Sequence, residues 1–550
     1  MIDYSLQNAP LELIGEALAH RPDVIGVGVN FGQWRLLEEL AEFVERETTS
    51  WSSPPVVVLG NILAAFSPDE AAKPFRRATA EGRVLVATGL GERPLERLCR
   101  CLDRPDSWAD IQGLAFPTLS APQHGTPQRS TSIPLLGVTL DRTTAPSLVA
   151  PDDALVIAVA TQGGQVSLET SLGCQFGACT FCPRSHKGKG WLRSETAVCV
   201  AILERMSHLP SPHGGSVAVS LVDEEFFGAE GLADPPPRQL PAARILTALK
   251  DLGLRYEIYT RLEQLFDRRR SREWNLQRAT LLAEAAPQMR RLFVGVESGS
   301  PSQLRRYGKG QTVVQTIDAL RVASRLAAPL EFGFITFDPL LTPEELAENL
   351  VFLARTDVLC DPASSETSVA IAEVGRYLDG AELPYSGEPV YQHVAYMATE
   401  LEVLANSRYA DYLHRKRPDL LDGYDPAFCR FGTRYDQGVG EIASWCRVWT
   451  EGMFTPVYQA RMAARSAGPG GAAESEALVR RYRDATFALL VALTRQLFPG
   501  LSLPSLSVPM QLDEIASWEV SHLLADLSIL VTRSTPTNFD LSVRERQRDR

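Results

Sequence analysis

Cys174, Cys179 and Cys182 fall within TSLGCQFGACTFCPR, Thr170 to Arg184, in a chain of 550 residues that holds nine cysteines in all. Three thiolates at Cys-x4-Cys-x2-Cys spacing can bind metal, and where thiols stay reduced that reading precedes disulfides. Two chemistries compete. In one, His186 completes a Cys3His tetrahedron around a structural zinc, since Cys182-x3-His186 has suitable spacing. In the other, three thiolates hold a [4Fe–4S] cluster and leave the fourth iron open to a substrate or cofactor. The loop follows the first strand of a β/α series, and such strand ends carry chemistry, so its position favours the cluster.

The remaining composition narrows the class. Hydrophobic residues make up 45% of the chain and charged residues 22%, as in ordinary globular proteins. With 67 acidic against 55 basic residues the net charge is -12, which offers no footprint for a nucleic-acid backbone. Apolar runs such as Pro55–Leu59 and Leu155–Ala160 are far shorter than the ~20 residues of a membrane helix. The N-terminal MIDYSLQNAPLELIGEALAH lacks the basic start and apolar stretch of a signal peptide, so the expected location is the cytoplasm. A single core stops growing near ~250–300 residues, which leads us to expect two or three domains.

The elements that must position the cysteines read as two alternating series. After a helix at Leu11–Ala19, strands are expected at Asp23–Val29, Pro55–Leu59 and Val84–Thr88, with helices at Trp34–Glu47, Asp69–Ala80 and Pro94–Leu102. Parallel sheets with this alternation bind ligands beyond the carboxyl ends of their strands. Glycines 28, 32, 60, 89 and 91 sit at those ends. A Pro, Ser, Thr and Gln-rich linker, Pro117–Ser132, separates the second series. Its expected strands are Gln165–Thr170, Ser216–Val222, Arg255–Thr260, Arg291–Glu297, Glu331–Phe337 and Ser368–Val374. Its helices are Ser194–His208, Ala242–Leu252, Asn275–Ala286, Thr312–Ala327 and Pro343–Ala354. Beyond Tyr377 helices dominate, as at Val394–Asn406 and Glu476–Leu497, with Ser466–Ser475 as a surface loop and a frayed charged tail, VRERQRDR.

The cysteine loop resembles that of the radical S-adenosylmethionine (SAM) superfamily, with one residue more than its usual Cys-x3-Cys-x2-Cys; a tighter turn at Gly177 can absorb the addition. Phe181 matches the aromatic before the last cysteine. Further motifs follow in family order. VDEEFF, Val222–Phe227, stands where the family binds the SAM amino group, with Asp223, Glu224 and Glu225 in place of a GGE-like turn. YTR, Tyr259–Arg261, ends the third strand. GVESGS, Gly295–Ser300, ends the fourth and carries Glu297 and Ser298, the former placed for ribose hydroxyls. YGKGQT, Tyr307–Thr312, is also similar to this group, and FGFITFDP, Phe332–Pro339, lies where the family packs adenine.

Residues 1–132 resemble the cobalamin-binding domain that precedes the barrel in one branch of the superfamily. GVGVNFG (Gly26–Gly32), VVVLGN (Val56–Asn61), VATGLGERPLERL (Val86–Leu98) and DIQGLAF (Asp110–Phe116) carry that likeness. It implies that Gly28, Gly60, Asn61, Gly89, Gly91 and Glu92 border the corrin. No D-x-H-x-x-G loop is present. His20 follows a helix and His124 lies in the linker, so cobalamin is expected without a protein histidine ligand, its lower face covered by a loop such as Asn61–Pro68.

The resemblance implies an α/β fold with a Rossmann-like, flavodoxin-type cobalamin domain (1–132), a partial (β/α)6 radical SAM barrel (133–376) and a mainly helical C-terminal substrate domain (377–550). The implied activity is a cobalamin-dependent methyltransferase moving a methyl group from SAM, by way of methylcobalamin, to a carbon or phosphinate phosphorus of a small, natural-product-like molecule. A flavodoxin- or ferredoxin-like reductant is the implied partner. Alternatives are a cobalamin-binding radical SAM cyclase or rearrangement enzyme without methyl transfer, and a non-catalytic metal-stabilised scaffold. Among other residues, Arg268–Arg270 with Arg272 reads as a solvated charge run, His186 as a loop residue, and Trp445, Trp449, Phe454 and Tyr458 as core.

Overall fold

The apolar run Val56-Val57-Val58-Leu59 forms a strand buried on both faces in the computed structural model, which describes residues 10–30, 32–117, 148–161, 163–183, 190–210, 217–234, 239–363, 366–436, 438–466 and 469–504. Strands β1 (Val24–Gly28), β2 (Val56–Gly60) and β3 (Val84–Ala87) are parallel neighbours, and β4 (Leu114–Ala115) pairs antiparallel with β3. Because side chains alternate along a strand, Val57, Leu59, Val84 and Val86 pack on one face with Leu37, Leu63 and Phe75. Val56, Val58 and Leu85 pack on the other with Leu98 and Trp108.

Three expectations change here. A flavodoxin-type sheet reverses its direction of strand addition after β1. This sheet instead adds strands in the order β1-β2-β3-β4. The single helix expected at Asp69–Ala80 is two, Pro68–Ala72 and Arg76–Ala80, because Pro74 between them cannot continue a helix. The loop expected at Asn61–Pro68 contains a helix, Asn61–Phe66, entered through Asn61 at φ +72°.

The chain divides into two units. The first gathers residues 1–264, 305–310 and 402–434. After the β1–β4 sheet it contains the parallel strands β5 (Gln165–Leu168), β8 (Ala218–Leu221) and β9 (Tyr256–Thr260). Inserted after β5 is an antiparallel ribbon of β6 (Ser171–Cys174) and β7 (Gly190–Arg193). The second unit, 265–304, 311–401 and 435–550, contains the parallel pair β10 (Met289–Glu297) and β11 (Leu330–Phe334). Helices Val439–Ser466 and Pro469–Leu497 pack along each other in that unit, with Trp449 Nε1 donating to Thr486 Oγ1 at 2.9 Å.

Outside these strands the sequence reading fails in instructive ways. Ser368–Val374, expected as the sixth strand, lies in the helix Thr367–Leu378. Its buried residues Ala370, Val374 and Tyr377 follow a helical spacing that the alternating SVAIAEV hides. Val394–Asn406 is not a helix, and Ala398 at φ +61° interrupts any helical path through it. Instead β12 (Val403–Leu404), β13 (Leu421–Asp425) and β14 (Arg430–Thr433) form a small antiparallel sheet in the first unit. The two long helices reach to residues 466 and 469, so the expected loop Ser466–Ser475 is mostly helical. Of the expected aromatic core only Trp449 is buried; Trp445, Phe454 and Tyr458 are exposed. Residues 118–132 of the linker, His124, His186 and the charged tail lie outside the described residues.

Candidate functional site

Cys174 is the last residue of β6, opposite Gly190, so the cysteine loop is the excursion of a β-hairpin and not a free loop. Gly177 adopts φ +55°, a left-handed turn between Cys174 and Cys179. Burial pushes the Cys174 thiol up, and the backbone N–H of Gly177 pulls against it. All three cysteines are half-buried. Among the described residues no three His, Cys, Asp or Glu side chains gather as around one metal ion. A cubane has a different requirement, a separate iron for each thiolate.

The loop is held from outside by Tyr307–Gly310. Thr180 donates its N–H to Tyr307 O at 2.8 Å and its hydroxyl to Arg306 O at 3.0 Å. Phe181 meets the Tyr307 ring edge-on with centroids 5.4 Å apart. Gly308 (φ +59°) and Gly310 (φ +73°) permit this approach: an added Cβ would come within 2.9 Å of Ala178 O and 2.5 Å of the Phe176 ring respectively. From the 402–434 stretch, Tyr409 N–H donates to Thr180 O at 2.9 Å. The same stretch reaches the β1–β4 sheet, where Ser67 Oγ lies 2.8 Å from Tyr424 OH and Cys429 joins the core. The glycines of YGKGQT thus have a structural reason invisible in the sequence. Gly310→Ala adds left-handed strain of about 1–2 kcal/mol and a ring clash, so iron loading after anaerobic reconstitution is expected to fall roughly tenfold while the circular dichroism spectrum is retained.

At the end of β8 the three acids part ways. Asp223 is buried and accepts from Thr170 Oγ1 at 2.9 Å, from Ser171 Oγ at 2.8 Å and from Ser171 N–H. Glu225 is buried and accepts from Thr260 Oγ1 at 2.6 Å and Arg261 N–H at 3.2 Å. Burial pushes both carboxyls up, each to about 7. Their bonds join the ends of neighbouring strands, which makes them braces between β5, β8 and β9. Glu224 is only half-buried and accepts from Gly173 N–H at 3.1 Å, next to Cys174. Tyr259, half-buried on β9, gives its carbonyl to Phe226 N–H at 3.0 Å.

Arg261 is drawn into the cysteine loop. Its Nη1 donates to Cys179 Sγ at 3.7 Å, its Nη2 donates to Lys309 O at 2.9 Å, and its Nε pairs with Glu263. The guanidinium carbon stands 3.9 Å from the Phe176 ring centroid. Burial opposes its charge, but the Glu263 carboxylate outweighs that and keeps Arg261 firmly cationic.

In the second unit, Glu297 ends β10 at φ +68°, unusual for a residue with a side chain, and a Cβ on Gly333 would lie 3.4 Å from its Oε2. Ser298 is fully buried and bonded to Gln303 Oε1 at 2.6 Å and Asn349 Oδ1 at 2.8 Å, so it supports the turn and is closed to a ligand. The arginine run is neutralised within the protein: Arg268 pairs with Asp318, Arg269 with Asp267 and Arg272 with Asp379.

The carboxyl edge of the β1–β3 sheet collects the other expected residues. Gly28 and Gly60 are register partners there. An added Cβ on Gly28 would meet no atom within 4 Å, so this glycine satisfies no internal packing and leaves the edge open. Asn61 follows directly, its Nδ2 donating to Asn30 Oδ1 at 2.7 Å. Gly89 and Gly91 are half-buried beyond β3, and exposed Glu92 begins the helix Glu92–Cys99. An open, glycine-lined edge suits a broad flat ligand.

No protein-family profile matches the chain. A curated relative, 4′-phospho-dehydrooxetanocin synthase of Priestia megaterium, is 27% identical over 517 residues, covering 91% of this chain. The fold is that of the cobalamin-dependent SAM radical enzyme OxsB, whose structure with aqua-cobalamin matches at 23% identity and TM-score 0.72 over 96% of this chain and 73% of OxsB. The OxsB structure with aqua-cobalamin and SAM matches at 24% and 0.74, over 97% of this chain and 76% of OxsB. In fold the chain is similar to a cobalamin-dependent SAM radical enzyme. It spans 66% of the length of the curated relative. Among the described residues, no helix is long and apolar enough to cross a membrane.

Proposed function

We propose that this chain is an enzyme that uses a [4Fe–4S] cluster, SAM and cobalamin for radical chemistry on a small molecule. The observation that carries the proposal is the cysteine hairpin, clamped by Tyr307–Gly310 and capped by the Arg261 guanidinium at Cys179. Cys174, Cys179 and Cys182 would hold three irons. Glu224, beside Cys174, is the acid left to face the SAM amino group, and Glu297 is the one for ribose hydroxyls. Asp223, Glu225 and Ser298 position the strand ends behind them, while Tyr259 belongs to the wall. Gly28, Gly60, Asn61, Gly89, Gly91 and Glu92 would border the corrin. Together these groups supply one-electron cleavage of SAM and a second redox centre at cobalt.

In this proposal residues 1–132 hold cobalamin and 133–376 hold the cluster and SAM. Residues 377–550 select the substrate, except the 402–434 stretch, which braces the first unit. A flavodoxin- or ferredoxin-like protein in the cytoplasm would deliver electrons.

For the reaction itself we favour rearrangement without methyl transfer. The relative that aligns with 91% of the chain is named for forming a phospho-dehydrooxetanocin and not for methylation. Methyl transfer is the second reading, supported by a sequence that lacks a cobalt-ligating D-x-H-x-x-G loop. Anaerobic turnover with methyl-deuterated SAM separates the two. Rearrangement predicts 5′-deoxyadenosine in step with a product free of deuterium; a trideuterated product would establish methyl transfer instead.

A further inference from the structure

Sequence resemblance places Arg261 among the SAM contacts, but the structure commits it elsewhere. Each of its three guanidinium nitrogens already has a protein acceptor: Glu263 for Nε, Cys179 Sγ for Nη1 at 3.7 Å and Lys309 O for Nη2 at 2.9 Å. Its backbone N–H is bound to Glu225 at 3.2 Å, and the Phe176 ring covers its face at 3.9 Å. The residue is 7% exposed. A cation pinned at five points and directed at one thiol of three is more than a structural plug.

Resting on the iron–sulfur reading above, we infer that Arg261 is a positioning residue that donates an N–H···S bond to the Cys179 thiolate and thereby raises the reduction potential of the cluster. The physical reason is charge. Reduction adds an electron to the cluster, and a buried guanidinium bonded to a ligand sulfur stabilises the more negative state. Glu263 works in the opposite sense, since its carboxylate neutralises part of the Arg261 charge, so the pair sets the potential together. Phe176 and Lys309 keep the guanidinium on Cys179, which ties the YGKGQT clamp to the electronics of the cluster as well as to its geometry.

The test is an EPR-monitored redox titration of the full-length, anaerobically reconstituted protein without SAM, comparing wild type, Arg261→Gln and Glu263→Gln, with iron and sulfide measured on each. At a fixed applied potential, Arg261→Gln is expected to lower the reduced-to-oxidised ratio about tenfold, about 59 mV for a one-electron couple. Glu263→Gln is expected to raise that ratio. An unchanged potential in an Arg261→Gln protein that keeps its iron would overturn the inference, returning Arg261 to a role with SAM alone. If Arg261→Gln does not load iron, Glu263→Gln decides: an upward shift supports the inference and no shift overturns it. A wild-type protein that binds no iron and sulfide would instead remove the iron–sulfur reading on which the inference stands.

Discussion

Cys179→Ala is expected to abolish reductive SAM cleavage, taking 5′-deoxyadenosine formation to background, and to lower the iron content of reconstituted protein from about four per chain. The loss follows from position. Cys179 lies between the two points that fix the hairpin loop, Gly177 at φ +55° and Thr180 bonded to Tyr307 O, and it is the thiol that Arg261 contacts. Three buried cysteines are closed to that role. Cys199 is fully buried on the helix Thr196–Ser207, where burial pushes its thiol up to about 11, and Cys360 and Cys446 are buried in the second unit. The fold should survive, because half-buried Cys179 makes little core contact. Iron and sulfide analysis alongside chromatographic assay of 5′-deoxyadenosine checks both parts, and a variant that kept its iron and its turnover would remove the cysteine hairpin from the chemistry.

The second large effect is expected at the β1–β3 edge of the first unit. Gly28→Trp should abolish cobalamin binding, lowering affinity by at least about a hundredfold, the order expected when a bulky indole fills a ligand's contact surface. Iron loading and thermal stability should be unchanged. A Cβ added at Gly28 meets no protein atom within 4 Å and the backbone is not left-handed, so neither strain nor a clash at Cβ opposes the substitution. Only a ligand lying on the edge formed by Gly28 and Gly60 would be displaced. Equilibrium binding followed by the visible spectrum of cobalamin measures the effect, and retention of wild-type affinity would place the corrin elsewhere.

Much of this arrangement is legible in the chain before it folds. Val56–Leu59 and Val84–Ala87 are runs too apolar to lie anywhere but in a buried parallel sheet, and each strand near the cysteine loop ends close to its expected residue. The cysteine spacing, a turn at Gly177 and the alternation up to Phe334 could all be read directly. What escaped depends on long-range contact. Nothing local in YGKGQT says that two glycines admit Ala178 and Phe176 from 130 residues upstream, and no periodicity announces that residues 402–434 return to the first unit. Asp223 and Glu225 look like ligand-binding acids until their donors, Ser171 and Thr260, are seen in place. Ser368–Val374 misleads for a related reason: small residues between its valines and alanines imitate strand alternation while the buried set keeps a helical spacing.

The central claim is that three thiolates of one hairpin hold a cluster with an iron left for SAM, and Mössbauer spectroscopy of iron-57-loaded, oxygen-free protein tests it most directly. The account predicts cubane spectra in which roughly one iron in four, the one lacking a thiolate, changes its isomer shift when SAM is added. Spectra without a cubane, or a cubane whose four irons ignore SAM, would contradict it.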